Sequence, residues 1–288
     1  MASESNGLSR RGLLIAGAAG LAGAGGLILP GRAAATEPGQ PAVSSEPAGL
    51  PEPGAMVPMG MITRNYLGSA GCHLAYEPTG NTTNFTFESG FYSQLAAWKE
   101  YINNNTPDSW GWAETIYSYG AYTDKPGMHG QGRAFDIGRI KYLNSDGRTQ
   151  WISMRYDVWR NYANADWWKR RYWGTAAGLM RRFRHVITYM DNGEHWNHIH
   201  VDNAIYGELD DCYYSTGSSS QTYIVQAACR QVWGLSTGID GQWGSQTESH
   251  STSVLRRIGR SSGTITNSAN FEAFCTASFR KAVGTQAY

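Results

Sequence analysis

Apolar positions recur near the helical period from Phe91 to Ile102, and Asn103-Asn104-Asn105 with Pro107 predicts the end of that helix. Residues Glu114 to Tyr119 alternate instead, with Thr115, Tyr117 and Tyr119 on one face and Ile116 and Ser118 on the other, which predicts a short strand ended by Gly120. Residues 151–184 read as helical with a break near Gly174, and Val186 to Met190 as a strand closed by Asp191-Asn192-Gly193. A further strand is predicted from Arg133, with Ala134 and Asp136 on one face and Phe135 and Ile137 on the other. Near residue 200 the alternation places His198, His200 and Asp202 together, opposite Asn197, Ile199 and Val201. Toward the C-terminus come three helical stripes: Ile224, Ala228 and Val232; Val254, Leu255 and Ile258; Phe271, Phe274, Cys275 and Phe279.

The N-terminal pattern is of another kind. A polar start closing on Ser9-Arg10-Arg11 precedes an uncharged Gly/Ala/Leu stretch, 12–31, and then Arg32-Ala33-Ala34-Ala35. This is the layout of an export signal over residues 1–35, with paired arginines resembling the twin-arginine type although Leu13 and Ile15 depart from it. About twenty apolar residues could also anchor in a bilayer, but the glycine content and the Ala-x-Ala exit favour cleavage, with no stable membrane insertion afterwards. Residues 36–58 are rich in Pro, Gly, Ala, Ser and Glu and read as a disordered tether. The next segment, 59–212, is long enough for one medium domain; Tyr213–Ser220 reads as a linker, and 221–288 as a small helical domain.

Composition removes some function classes. The net charge is +1, and no basic patch supports a nucleic-acid partner. Four cysteines in an exported chain favour disulfides. Cys229 and Cys275 both sit on C-terminal helical stripes and are paired with each other, which leaves Cys72 with Cys212. Trp151, Trp159, Trp167, Trp168 and Trp173 are either core packing, the default, or a shelf facing carbohydrate.

Two short clusters carry the chemistry: His129-Gly130-Gln131-Gly132-Arg133-Ala134-Phe135-Asp136, and Glu194-His195-Trp196-Asn197-His198-Ile199-His200. If the two predicted strands are neighbours, Asp136, His198 and His200 converge, with His129 reaching in from a glycine-rich loop. Two or three imidazoles with one carboxylate suit a single Zn²⁺, and three protein ligands leave a fourth position for water. Arg133 fits either a clamp for a substrate carboxylate or an ion pair with a surface acid.

At these residues the chain resembles the superfamily that joins D-Ala-D-Ala metallocarboxypeptidases, lysostaphin-like endopeptidases and the hedgehog signalling domain. His129, Gly132, Ala134 and Asp136 match its motif His-x-x-Gly-x-Ala-x-Asp, and His198 and His200 its His-x-His. The resemblance implies His129, Asp136 and His200 as zinc ligands and His198 as the residue that moves a proton or orients water. Carboxypeptidases of the group carry Ser where this chain has Gly127, and a catalytic Glu where it has Asn197. His195-x-x-His198-x-His200 looks more like the endopeptidase branch, so the general base stays open among His198, His195 and Glu194.

Between the first two C-terminal stripes, Asp240-Gly241-Gln242-Trp243-Gly244-Ser245-Gln246-Thr247 resembles the signature of the three-helix peptidoglycan-binding domain. Pattern and resemblance together imply an α+β zinc-peptidase domain, an antiparallel sheet with flanking helices, followed by a small all-α domain. They imply a secreted, wall-associated hydrolase of peptidoglycan peptide, either D,D-carboxypeptidase or endopeptidase. A zinc-containing wall-binding protein without turnover, a wall amidase and a lectin-like protein are the competing expectations; oligomeric state is not readable.

Overall fold

The strands that alternate in sequence meet in a seven-stranded sheet, in a computed structural model that describes residues 60–68, 71–203 and 213–288. The segments read as export signal (1–35) and tether (36–58), and Cys212, lie outside the described residues. The sheet runs β2 (Tyr66–Leu67), β3 (Cys72–Tyr76), β5 (Trp112–Gly120), β6 (Ala134–Leu143), β9 (Ile199–Asp202), β8 (His185–Ile187), with β7 (Thr149–Ser153) also pairing β6. All pairings are antiparallel except β3 with β5. A separate two-stranded sheet joins β1 (Met61–Arg64) to β4 (Phe85–Glu88). The helices are α1 (Ser89–Asn103), α2 (Tyr156–Trp159), α3 (Ala165–Met180), α4 (Ser219–Ala227), α5 (Ser245–Arg257) and α6 (Ser268–Val283). The protein thus mixes helices with a mostly antiparallel sheet. None of the described helices is long and apolar enough to cross a membrane.

Helix α1 begins where Glu88 accepts hydrogen bonds from the amides of Gly90 (2.9 Å) and Phe91 (2.8 Å), satisfying two of the donors a helix start leaves open. Its stripe of Phe91, Leu95, Trp98 and Ile102 is fully buried against the sheet core.

Helix α3 runs unbroken through Gly174. A Cβ on Gly174 would sit 2.1 Å from Ala282 of α6, so this glycine marks a close helix–helix contact rather than a break. The helical reading from residue 151 is also corrected, because Trp151 to Ser153 form the end of β7 on the sheet. Strand β8 ends at Ile187, earlier than the apolar run suggests: Asp191 Oδ2 accepts from the Thr188 amide (2.7 Å) and hydroxyl (2.9 Å) and turns the chain.

The C-terminal helices share this core. Phe279 packs on Gly178, Arg181 pairs with Glu272 (3.1 Å), and Arg280 and Thr285 bond Asn105 (2.6 and 2.7 Å). Within the Asp-Gly-x-Trp-Gly segment Asp240 Oδ1 accepts from the Gln242 amide (2.9 Å), while Trp243 packs on Tyr214.

The expected Cys229–Cys275 disulfide is not formed. Cys229 is a buried thiol whose pKa burial raises to about 12, and it serves as a small apolar group in the core. Cys72 is likewise a buried thiol, raised to about 12 by burial, with no disulfide among the described residues; its expected partner Cys212 lies outside them.

One irregularity positions the site. Ser118 pairs with Ile137 and Tyr117 with Arg139, so β6 spends an extra residue, Gly138, against β5. Before this bulge Phe135 and Ile137 face the core and Asp136 the opposite side; after it Ile140 and Tyr142 face the core. The bulge therefore turns Arg139 onto the same face as Asp136. A side chain at Gly138 would press on Glu77, 3.0 Å away.

Candidate metal centre

Registry brings the two histidine clusters together. Asp136 on β6 lies directly opposite His200 on β9. His129 begins a one-turn 3₁₀ helix, His129–Gln131, that ends on Gly132 at φ +66°, and this turn aims its ring at the two strand residues. A Cβ at Gly132 would also collide with the Glu88 amide, at 2.7 Å.

Potential ligand atoms of three residues face one another. His129 Nε2 lies 3.2 Å from Asp136 Oδ2 and 3.3 Å from His200 Nδ1, and His200 Nδ1 lies 2.9 Å from Asp136 Oδ1. These three residues form a group able to hold a metal ion. Bonds of about 2.0–2.1 Å around a tetrahedral metal ion set its ligand atoms roughly 3.3 Å apart, the separation of the two imidazole nitrogens.

The second nitrogen of each ligand ring is also engaged. His129 Nδ1 donates to the Ala121 carbonyl, and His200 Nε2 donates to Asp202 Oδ2 (3.2 Å). Each bond fixes a tautomer that leaves the other nitrogen's lone pair for a cation. Asp202 Oδ1 is held in turn by His185 Nδ1 on β8 (2.9 Å).

Electrostatics favour a cation at this point. Burial would raise the Asp136 pKa, but the charges of His198 and His129 and the bonds from His129 and His200 outweigh it and hold the carboxyl well below its usual range. Burial also opposes a charged His200, yet hydrogen bonds to Asp136 and Asp202 raise its pKa to about 9. Metal binding at His200 Nδ1 at neutral pH therefore releases a proton.

The remaining predicted residues separate. His198 is buried beside the ligands: its Nδ1 donates to Asn197 Oδ1 (2.6 Å), its Nε2 lies 3.4 Å from Asp136 Oδ1, and its ring packs on Tyr119 (5.8 Å between centroids). Burial lowers its pKa, and the charges of His200 and His129 add to that effect against the opposing pull of Asp136. His195 flanks the cluster, its ring centroid 5.0 Å from His198 and 5.8 Å from His200, with Nδ1 donating to Asn192 Oδ1 (2.6 Å). Burial, then the charges of His198 and His200, push it down to about 3, so it is neutral at ordinary pH.

Glu194 is exposed on the preceding turn, and its carboxylate makes no hydrogen bond or ion pair among the described residues. Arg133 Nε donates to Asn203 (3.0 Å), and its charge helps lower the Glu88 pKa. Neither residue joins the three ligands.

Sequence reasoning put Asp202 on the correct face without giving it a part, although a carboxylate two positions after a strand histidine is its same-face neighbour. His185 carried no such signal; it reaches Asp202 only through the β8–β9 register. Comparison with known proteins finds no matching family model, no matching curated protein and no matching solved structure.

Proposed function

We propose that this protein is an exported zinc-dependent peptidase that hydrolyses a peptide bond of bacterial cell-wall peptidoglycan, as a D,D-carboxypeptidase or an endopeptidase. One observation carries the reading. Two imidazole nitrogens 3.3 Å apart are each met by one oxygen of the Asp136 carboxylate, Oδ2 at 3.2 Å and Oδ1 at 2.9 Å, and the far nitrogen of each imidazole is already bound. The motifs around these residues support the choice of substrate.

In this reading His129, Asp136 and His200 hold the ion. Bound zinc supplies Lewis acidity, polarising a carbonyl and bringing the pKa of water to about 7. The chain's own groups do the rest. His198 presents Nε2 to the cluster while Asn197 retains its Nδ1 proton, so Nε2 takes a proton from attacking water and returns it to the departing amine. Tyr119 packs against the His198 ring and limits its rotation. His195, neutral, packs beside both His198 and His200 and is held by its bond to Asn192. Glu194, exposed on the turn, and Arg133, bonded to Asn203, stand outside this set.

Digestion of purified muropeptides, read by mass, tests the proposal. The expected products are shortened or split peptides that disappear with chelator and in His129→Ala or Asp136→Ala. Full activity in either variant overturns it. Release of intact stem peptide from sugar makes the protein an amidase, and stoichiometric zinc without any product makes it a wall-binding protein.

A further inference from the structure

Beside the metal centre, on the same face of the sheet, a pocket of about 310 Å³ opens between β6, β7 and the chain around α2. Its floor is Arg139, which the Gly138 bulge turns to this side. The guanidinium lies on the rings of Tyr117 (4.6 Å) and Trp151 (5.4 Å), and its Nε bonds the fully buried Glu77 (2.8 Å to Oε1). Glu77 Oε1 also accepts from Arg155 (3.1 Å), and Arg155 is held by Asp157 (2.8 Å).

These four charges cancel, two guanidinium groups against two carboxylates. The pocket therefore has no excess charge with which to attract an anion. What it offers is hydrogen-bond donors, from the outer nitrogens of Arg139 and from the Ser153 hydroxyl, whose oxygen already accepts from the Arg155 amide (3.2 Å). Around these donors stand flat aromatic walls from Trp151, Trp168 and Tyr162, the last 45% exposed at the mouth. Donors on the floor call for acceptor oxygens, and aromatic walls call for a flat C–H face.

We propose that this pocket binds an N-acetylated pyranose of a glycan chain. The ring's C–H face lies against the aromatic wall, and its acetamido carbonyl and hydroxyl oxygens accept from Arg139 and Ser153. Tyr119 connects the two sites, with Arg155 5.8 Å from its ring centroid and the His198 ring at the same distance. A substrate with peptide joined to sugar spans both, so the inference rests on the wall-peptidase reading for its biological ligand, though not for the binding itself.

The test is calorimetric titration of the full chain, stripped of metal by chelator, with the β-1,4-linked trimer of N-acetylglucosamine. Saturable binding is expected, equal in wild type and Asp136→Ala, weakened roughly tenfold in Tyr162→Ala and not displaced by D-alanyl-D-alanine. Tyr162 is exposed, so its replacement does not threaten the fold. Absence of binding, undiminished binding in Tyr162→Ala, or displacement by the dipeptide overturns the inference. Muropeptide cleavage without trimer binding defeats this inference alone; trimer binding without cleavage defeats the peptidase reading alone.

Discussion

A histidine donates one lone pair to a cation only when its other nitrogen holds the proton. At this site the Ala121 carbonyl does this for His129 and the Asp202 carboxylate for His200. Asp202 should therefore matter nearly as much as the ligands themselves. Replacing it by Asn is expected to weaken zinc affinity by roughly 10–100-fold, measured by competition with a chromogenic chelator; unchanged affinity would remove it from the site. The raised His200 pKa sets the pH dependence. Below about 9 a proton occupies the nitrogen that zinc needs, so apparent affinity should rise about tenfold per pH unit from neutral toward that value and then level off. A flat profile over that window contradicts the assignment of His200. Much of this was legible in the sequence, because a strand's two-residue period puts His198, His200 and Asp202 on one face. His185 was not, since register between strands distant in sequence is settled only by assembly.

Among elements, α1 and α3 show what local pattern can and cannot reveal. The stripe and stop of α1 were plain, whereas its start depends on an acid at the end of a strand. Burial alone would raise the Glu88 pKa, but the amides of Gly90 and Phe91 outweigh it and lower it from 4.5. A carboxyl lowered on folding adds stability above its unfolded pKa and loses it as pH falls through the folded one. Glu88→Gln should cost about 0.3–1 kcal/mol at neutral pH and nothing in strong acid; equal denaturation midpoints at neutral pH would contradict this. In α3 two effects oppose each other at Gly174. Alanine gains about 1 kcal/mol in helix propensity, yet its Cβ would meet Ala282 at 2.1 Å, and such overpacking costs about 1–3 kcal/mol. Gly174→Ala should therefore lower the urea midpoint, and a raised midpoint would show that the helices part without cost. Sequence gives a glycine in such a stretch as a break because its reason lies a hundred residues away. The Gly138 bulge is equally hidden, and with it the turn of Arg139 toward the site.

Over the whole described molecule, sheet and C-terminal helices share one buried core, with α6 against α3 and Asn105 tying the end of the chain to the loop after α1. Tryptophans are spread through it: Trp159 and Trp173 are packed inside, as expected by default, and Trp151 and Trp168, with an edge of Trp159, line the pocket by the candidate metal centre. Tryptophan fluorescence and far-ultraviolet dichroism should then follow a single coincident unfolding transition. Two separated transitions would mean that the helices fold apart from the sheet. Composition could not reveal this sharing, because a small helical unit reads alike whether it stands alone or packs on a neighbour.

The account turns on three side chains holding one ion. Titration of chelator-stripped protein with zinc, with bound metal counted per chain, tests it most directly. One tightly bound equivalent is predicted for the wild type, and none for Asp136→Ala or His129→Ala in folded protein. Full binding by either variant, or no binding by the wild type, contradicts it.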